Sequence, residues 1–204
     1  MYTAMRLNEN TQLIGKNIIL VPYESKHVLK YHKWMQSAEL QKLTASEPLT
    51  LEQEYEMQRT WRRDEDKCTF LILCRKTYET TGDEIKALVG DTNLFLHPKE
   101  ESGEKLAEIE IMIAEPEMRG KGFGWESVLL MLKYGLKYLN IQKFVAKIGE
   151  DNTKSIRMFQ KIQFEEVARS KVFHEVTLDR YVTEEWLKWL DKQALLIIET
   201  YDKN

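Results

Sequence analysis

Residues 108–126, EIEIMIAEPEMRGKGFGWE, run through three patterns in turn. Apolar and acidic residues first alternate, the period of a strand whose two faces differ. The run then becomes wholly apolar and stops at Pro116. Gly120, Gly122 and Gly124 follow at a spacing of two. Trp125 then opens a helical stripe with Leu129, Leu132, Leu136 and Leu139. A strand feeding a glycine-rich loop that opens a helix leaves several backbone N–H groups unpaired at the helix start. Together with the helix dipole, Arg119 and Lys121, these make an anion site that glycines let a ligand approach closely. The ligand implied is a pyrophosphate. Two commoner phosphate motifs do not fit. G-x-G-x-x-G needs one more residue before its last glycine, and an acid about 20 residues on to hold a ribose. G-x-x-x-x-G-K-[ST] does not occur. By bare spacing such a loop could be only a turn; its strand-loop-helix setting argues for a ligand.

Working outward toward the C-terminus, residues 144–148 read as a strand. Residues 151–162 read as a shorter helix capped by Asp151 or Asn152, with Ile156 and Phe159 inward. Residues 164–170 and 173–182 suggest a closing hairpin, and Thr183 caps a last helix carrying Trp186, Trp189 and Leu190. Toward the N-terminus, residues 97–105 are a charged turn, 85–95 a strand, 78–84 a polar turn around Gly82, and 69–75 a buried strand. Thr50 and Gln53 form a capping box for one helix. Ser25 can cap another over 25–36, and 16–22 (KNIILVP) is a first strand. The order predicts an α/β (α+β) architecture. A mixed central sheet of about six to seven strands is flanked by helices on both faces, with an extra C-terminal helix. The expected boundaries are a tail over 1–12, one domain over 13–182, and a helix and tail over 183–204.

Arg119-Gly-Lys-Gly122-Phe-Gly124 matches the R/Q-x-x-G-x-G/A signature of the GNAT acetyltransferases. Asn152, Ser155, Phe159 and Phe164 follow that family's second signature, roughly N-x-x-S/A-x-x-x-Y-x-x-x-G-F. The resemblance covers about residues 13–182. Residues 13–20 (LIGKNIIL), Trp34 and 48–50 (PLT) resemble the branch that modifies protein N-termini. Residues 43–58, 111–124 and 147–168 resemble its tubulin-modifying, microtubule-linked members. The resemblance implies a GNAT fold, acetyl-CoA as co-substrate, and direct attack of an amine on the thioester. The acceptor would be a protein N-terminus, tubulin's among the possibilities; nothing in composition or spacing points to tubulin. A lysine or small amine as acceptor stays open, and so does a microtubule-binding protein with little activity. The residues implied to contact the cofactor are Ile113, Arg119, Gly120, Lys121, Gly122, Phe123, Gly124, Asn152, Ser155 and Phe159. Asn152 could equally cap its helix, and Ser155 could bond only local backbone. The family often has tyrosine where Phe159 stands, able to protonate the leaving thiolate; a phenyl ring cannot. Gln163 replaces the usual glycine before Phe164.

Strand alternation puts Glu108 and Glu110 on one face, with Ile109, Ile111 and Ile113 on the other. In the resembling family this strand splays from the next, opening a slot for the pantetheine arm, and Glu108 matches a position that carries a glutamate base in some members. Two neighbouring, partly buried carboxylates would raise one pKa toward neutrality, and Glu108 and Glu110 are the catalytic candidates. A solvated acidic strand face is the alternative.

Composition sets the outer bounds. A chain of 204 residues buries roughly 70% of its unfolded surface and needs neither metal nor disulfide for a core. Net charge is −3, so no basic face for nucleic acid is expected. Cys68 and Cys74 fit no metal or redox spacing and read as buried free thiols. His27, His32, His97 and His174 are scattered, and no metal is expected. Residues 1–12 carry no apolar core of signal-peptide length, and no run approaches the ~18 apolar residues of a membrane span. A cytoplasmic protein is the expectation.

Overall fold

The computed structural model describes residues 8–97 and 103–202. The chain opens with a hairpin of β1 (Thr11–Ile14) and β2 (Ile18–Pro22), then helices α1 (Val28–Met35), α2 (Ala38–Leu43) and α3 (Leu51–Arg63). Next come β3 (Lys67–Cys74), the short helices α4 (Arg75–Thr81) and α5 (Glu84–Ala87), β4 (Leu88–Leu96) and β5 (Leu106–Ile113). Helix α6 (Phe123–Tyr134) crosses to β6 (Lys143–Gly149), and α7 (Thr153–Lys161) leads into the hairpin β7 (Glu165–Ser170) and β8 (Glu175–Tyr181). Helix α8 (Glu184–Gln193) and β9 (Ile197–Thr200) follow.

These strands form one mixed sheet in the order β7-β8-β6-β5-β4-β3-β2-β1-β9. Every pairing is antiparallel except β5 with β6, which are joined by a helical crossover of the kind parallel strands usually take. The sheet has nine strands among the described residues, two more than the upper expectation. The additions are β1 and β9, which pair with each other and hold only four residues each. Four residues are too few to display an alternation. The segments set apart by sequence, 1–12 and 183–204, thus contribute Thr11, Gln12 and β9 to the same sheet. Residues 78–84 are not a turn: α4 runs to Thr81 and ends on Gly82, which takes the left-handed conformation at φ 63°. Ser25 does not cap α1 but begins a short helical turn over Ser25–His27. Most of the charged turn expected at 97–105 lies outside the described residues.

The capping box of α3 forms as expected, with the Gln53 N–H donating to Thr50 Oγ1 and the Thr50 N–H to Gln53 Oε1. Thr183 caps α8. One core lies between the sheet and α6, α7 and α8; a second lies under α1 and α3 on the other face. Helix α6 is buried on nearly all sides rather than along one stripe, because α8 covers its outer face and sets Trp189 edge-on to Trp125. Trp186 is fully buried and donates its indole N–H to the Ile162 carbonyl. Truncating a tryptophan so enclosed costs about 3–5 kcal/mol. Cys68 and Cys74 are buried free thiols.

Candidate active site

The site begins where the parallel pairing fails. Strands β5 and β6 pair only through Leu106–Lys143, Ala107–Phe144 and Glu108–Val145. Beyond Glu108, β5 continues along β4 and β6 along β8, so their facing edges part. The gap is a wedge-shaped cleft of about 810 Å³, lined by β5 on one side and by β6 and the start of α7 on the other. The parted edges leave backbone groups unpaired, as an extended amide-bearing ligand requires.

At one end lies the glycine loop. Gly120 and Gly122 have φ of 75° and 85°, a region closed to most side chains, and Gly122 is the N-cap of α6. Among the described residues, none of the N–H groups of residues 120–125 donates to a protein acceptor. With the helix dipole behind them they form a concave anion receptor. Lys121 is exposed and makes no ion pair among the described residues, so its ammonium is free for an anion. The Arg119 guanidinium is already engaged: it donates to the Ile113 carbonyl at 2.9 Å and to Glu39 of α2 at 2.8 Å. Arg119 therefore fastens the loop to the end of β5. Ile113 turns toward α6, beside Gly124.

A second clamp was not evident from sequence. Glu126, in the first turn of α6, accepts from the Asn17 backbone N–H at 3.0 Å and from Asn17 Nδ2 at 2.9 Å. It ties the β1–β2 turn beneath the loop. A Cβ at Gly15 would lie 2.3 Å from Glu126 Oε1, so that turn admits only glycine while the clamp holds.

The α7 wall carries Asn152, Ser155 and Phe159, all lining the cleft. Asn152 Oδ1 accepts from the Ser155 N–H at 3.2 Å and caps α7, which leaves the amide NH2 for a ligand. Phe159 is buried with its ring edge-on to Phe164, 5.1 Å away. Gln163 takes a left-handed φ of 69°, where a glycine would be unstrained.

Glu108 and Glu110 share a face, opposite Phe95 and Asn93 of β4. They differ in surroundings. Glu108, at the fork of the strands, is ion-paired to Lys147 at 2.8 Å and lies 3.7 Å from His97 Nε2. Glu110 makes no hydrogen bond or ion pair through its carboxylate among the described residues. It is open to the cleft yet ringed by protein. Desolvation, with the charges of Asp91 and Glu108, outweighs Lys67 and Lys147 and pushes it up to about 7. A carboxylate at that value is poised to take a proton near neutral pH.

The cleft floor holds two charges that sequence reading passed over, Lys67 and Asp91. The available signal was a lysine opening a largely apolar strand, KCTFLILC, and an aspartate within another, LVGDTNLFL. No cluster of three or more His, Cys, Asp or Glu side chains suited to a metal occurs among the described residues. No helix there is long and apolar enough to cross a membrane.

Residues 17–165 match the family model described as acetyltransferase (GNAT) domain. The chain is 54% identical over 199 residues to the α/β-tubulin-N-acetyltransferase 9 of Drosophila melanogaster, covering 97% of this chain and 100% of that one. It is 56% identical over 193 residues to the Homo sapiens protein of that name, covering 93% and 92%. Among solved structures, the spermidine N-acetyltransferase of Vibrio cholerae, in complex with CoA and spermine, superposes with a TM-score of 0.66 at 19% identity. That match covers 88% of this chain and 99% of the other.

Proposed function

The chain belongs to the GNAT acetyltransferase family, which uses acetyl-CoA, and from that premise we propose that it acetylates the α-amine of protein N-termini, those of α- and β-tubulin in particular. The observation that carries the reading is the cleft itself. Its two strands part at Glu108, free backbone amides lie at one end, and a carboxylate near neutrality lies at the other. Relatives named for tubulin, alike over more than nine-tenths of both chains, support the choice of acceptor. Such an enzyme would act where free tubulin is, in the cytoplasm.

The roles divide along the cleft. The loop amides of residues 120–125 and Lys121 hold the pyrophosphate of acetyl-CoA, and Arg119 keeps that loop in place. The open edges of β5 and β6 hold the pantetheine arm, with Asn152 and Ser155 on the far wall. The thioester supplies the acetyl group. Glu110 is the general base; the Glu108 charge raises its pKa, and Lys147, paired to Glu108, lowers it in part. The amine must lose its proton before it attacks. An α-ammonium at about 7.7–8.0 lies within roughly one pH unit of Glu110. A lysine ammonium at about 10.4 lies more than three away, a difference of roughly 3–4 kcal/mol in the proton transfer. Glu110 therefore suits an N-terminus far better than a lysine. Phe159 has no proton to give. A thiolate whose acid has a pKa of about 8.5 departs without a fixed donor.

Peptides copying the α- and β-tubulin N-termini, with free or blocked α-amine, would be incubated with the protein and acetyl-CoA. Mass spectrometry would then place the acetyl. Acetyl on the free α-amine alone is expected. Transfer to lysine instead would move the assignment to the ε-amine. No transfer, with acetyl-CoA bound, would leave a binding protein.

A further inference from the structure

The cleft floor enters the chemistry just described only through the charges that Lys67 and Asp91 exert on Glu110. On the face that carries Glu108 and Glu110, three strands lie in register. Lys67 of β3 is opposite Phe95 of β4, Asn93 is opposite Glu110 of β5, and Asp91 is opposite Met112. Asp91 is 3% exposed and Lys67 4%, yet both line the cleft. Charges so enclosed are normally paired. Asp91 Oδ2 accepts from Asn93 Nδ2 at 2.8 Å, but Oδ1 has no partner among the described residues. The Lys67 ammonium makes no hydrogen bond or ion pair there either. It lies 2.9 Å from the centre of the Trp61 ring and 4.4 Å from that of Phe95. Burial lowers Lys67 to about 7 although Glu110 and Asp91 pull it back, and burial raises Asp91 to about 6. A structural pair would bond directly. These two, four residues apart along the register of adjacent strands and with no ion pair between them, instead leave an acceptor and a donor without a direct partner on the one cleft floor.

The first residue of a polypeptide carries the matching groups. Its α-ammonium donates, and its own carbonyl oxygen accepts one carbon away. A lysine side chain or an alkylamine has the ammonium with no carbonyl within that reach. Trp61, Phe95 and Tyr31 line the same part of the cleft and offer an apolar wall.

We propose that Asp91 and Lys67 select the acceptor: Asp91 Oδ1 receives the α-ammonium beside Glu110, Lys67 donates to the first carbonyl oxygen, and the first side chain packs on Trp61, Phe95 and Tyr31. The inference rests on the N-terminal acetyltransferase reading and adds how an α-amine is distinguished. Asp91 and Lys67 are specificity residues: Glu110 still takes the proton, and the amine keeps a hydrogen bond to Asp91 as it attacks.

The test compares a tubulin-like hexapeptide with an analogue whose first peptide bond is a trans-alkene, which keeps the α-amine and removes the first carbonyl. The wild-type protein is expected to prefer the peptide at least tenfold in kcat/KM. Assayed at pH 9, where Glu110 is deprotonated with or without the Lys67 charge, Lys67→Met is expected to raise the peptide's KM about tenfold while the analogue's stays unchanged, bringing the preference close to one. Lys67→Arg should restore part of it, and Asp91→Asn should raise KM for both substrates alike. Melting curves and acetyl-CoA affinity would establish that the variants are folded. An unchanged preference in Lys67→Met, or an equal loss on both substrates, overturns the proposal. So does a wild-type protein that treats peptide and analogue alike, a comparison that needs no variant. Should the wild-type protein acetylate no α-amine at all, the N-terminal reading fails first and this inference falls with it.

Discussion

The two ends of the cleft solve recognition differently. At the glycine loop the contacts are main-chain N–H groups from six consecutive residues, held by two left-handed glycines and the start of α6. At the acceptor end the groups are side chains: Lys67, Asp91 and Glu110, from three strands. A pyrophosphate has fixed charge and shape, so backbone dipoles suffice, and their arrangement is written locally in the chain. An amine must be bound and also deprotonated, which needs ionisable groups whose pKa values are set by burial and by each other. The loop stays exposed and its amides meet water at little cost. The acceptor end keeps Lys67 and Asp91 out of water and loses stability for it.

Glu110→Gln tests that division most severely. It should lower kcat about 10²–10⁴-fold, the usual contribution of a general base, and leave acetyl-CoA affinity within twofold by calorimetry. A loss under tenfold would point to another base, Glu108 first. Gly122→Val is the converse, since a β-branched residue cannot adopt φ 85° without strain. Acetyl-CoA binding should weaken at least about tenfold while the acceptor's KM at saturating acetyl-CoA is kept. Loss of both together would mean the ends are not separable.

The pH profile is a finer probe. With Glu110 held at about 7 and the α-ammonium at about 7.7–8.0, kcat/KM should rise tenfold per pH unit below 7 and fall again above about 8, where the free amine has already lost the proton Glu110 would take. Glu108→Gln removes a charge that raises Glu110 and frees Lys147, which lowers it, so the acid limb should move to lower pH. An upward move would contradict this electrostatic account. The smallest effect is on stability. The folded protein holds Asp91 at about 6 against about 3.9 unfolded. Between those values the native state binds more protons, so its stability falls as pH rises. Asp91→Asn should therefore raise Tm by several degrees at pH 8, with the gain fading through pH 6 and gone below pH 4. A Tm lowered at pH 8 would mean that Asp91 stabilises the fold.

Legibility in the sequence follows the same line. The loop, its strand and its helix were readable because all their determinants lie within 108–126. The acidic face of β5 was readable from alternation, but not which carboxylate would be perturbed: Lys147 pairs with Glu108 and not Glu110 because of how β6 meets β5. Lys67 and Asp91 were hidden because only the pairing of β3, β4 and β5 puts them on the face that carries Glu110. The same holds for Asn17 under Glu126, in contact across 109 residues of chain. The parallel seam itself, three residues long, cannot be foretold from two strands read separately.

The pairing of β1 with β9 brings the polypeptide back almost to its starting point: the Tyr201 N–H donates to the Asn10 carbonyl at 2.9 Å. The backbone between them is nearly a closed ring, entered and left at one corner of the sheet's outer edge, with β1 to β4 between that corner and the cleft. A short linker from Tyr201 to Asn10 would bridge that corner, so opening the ring at an exposed turn elsewhere is a route to circular permutation.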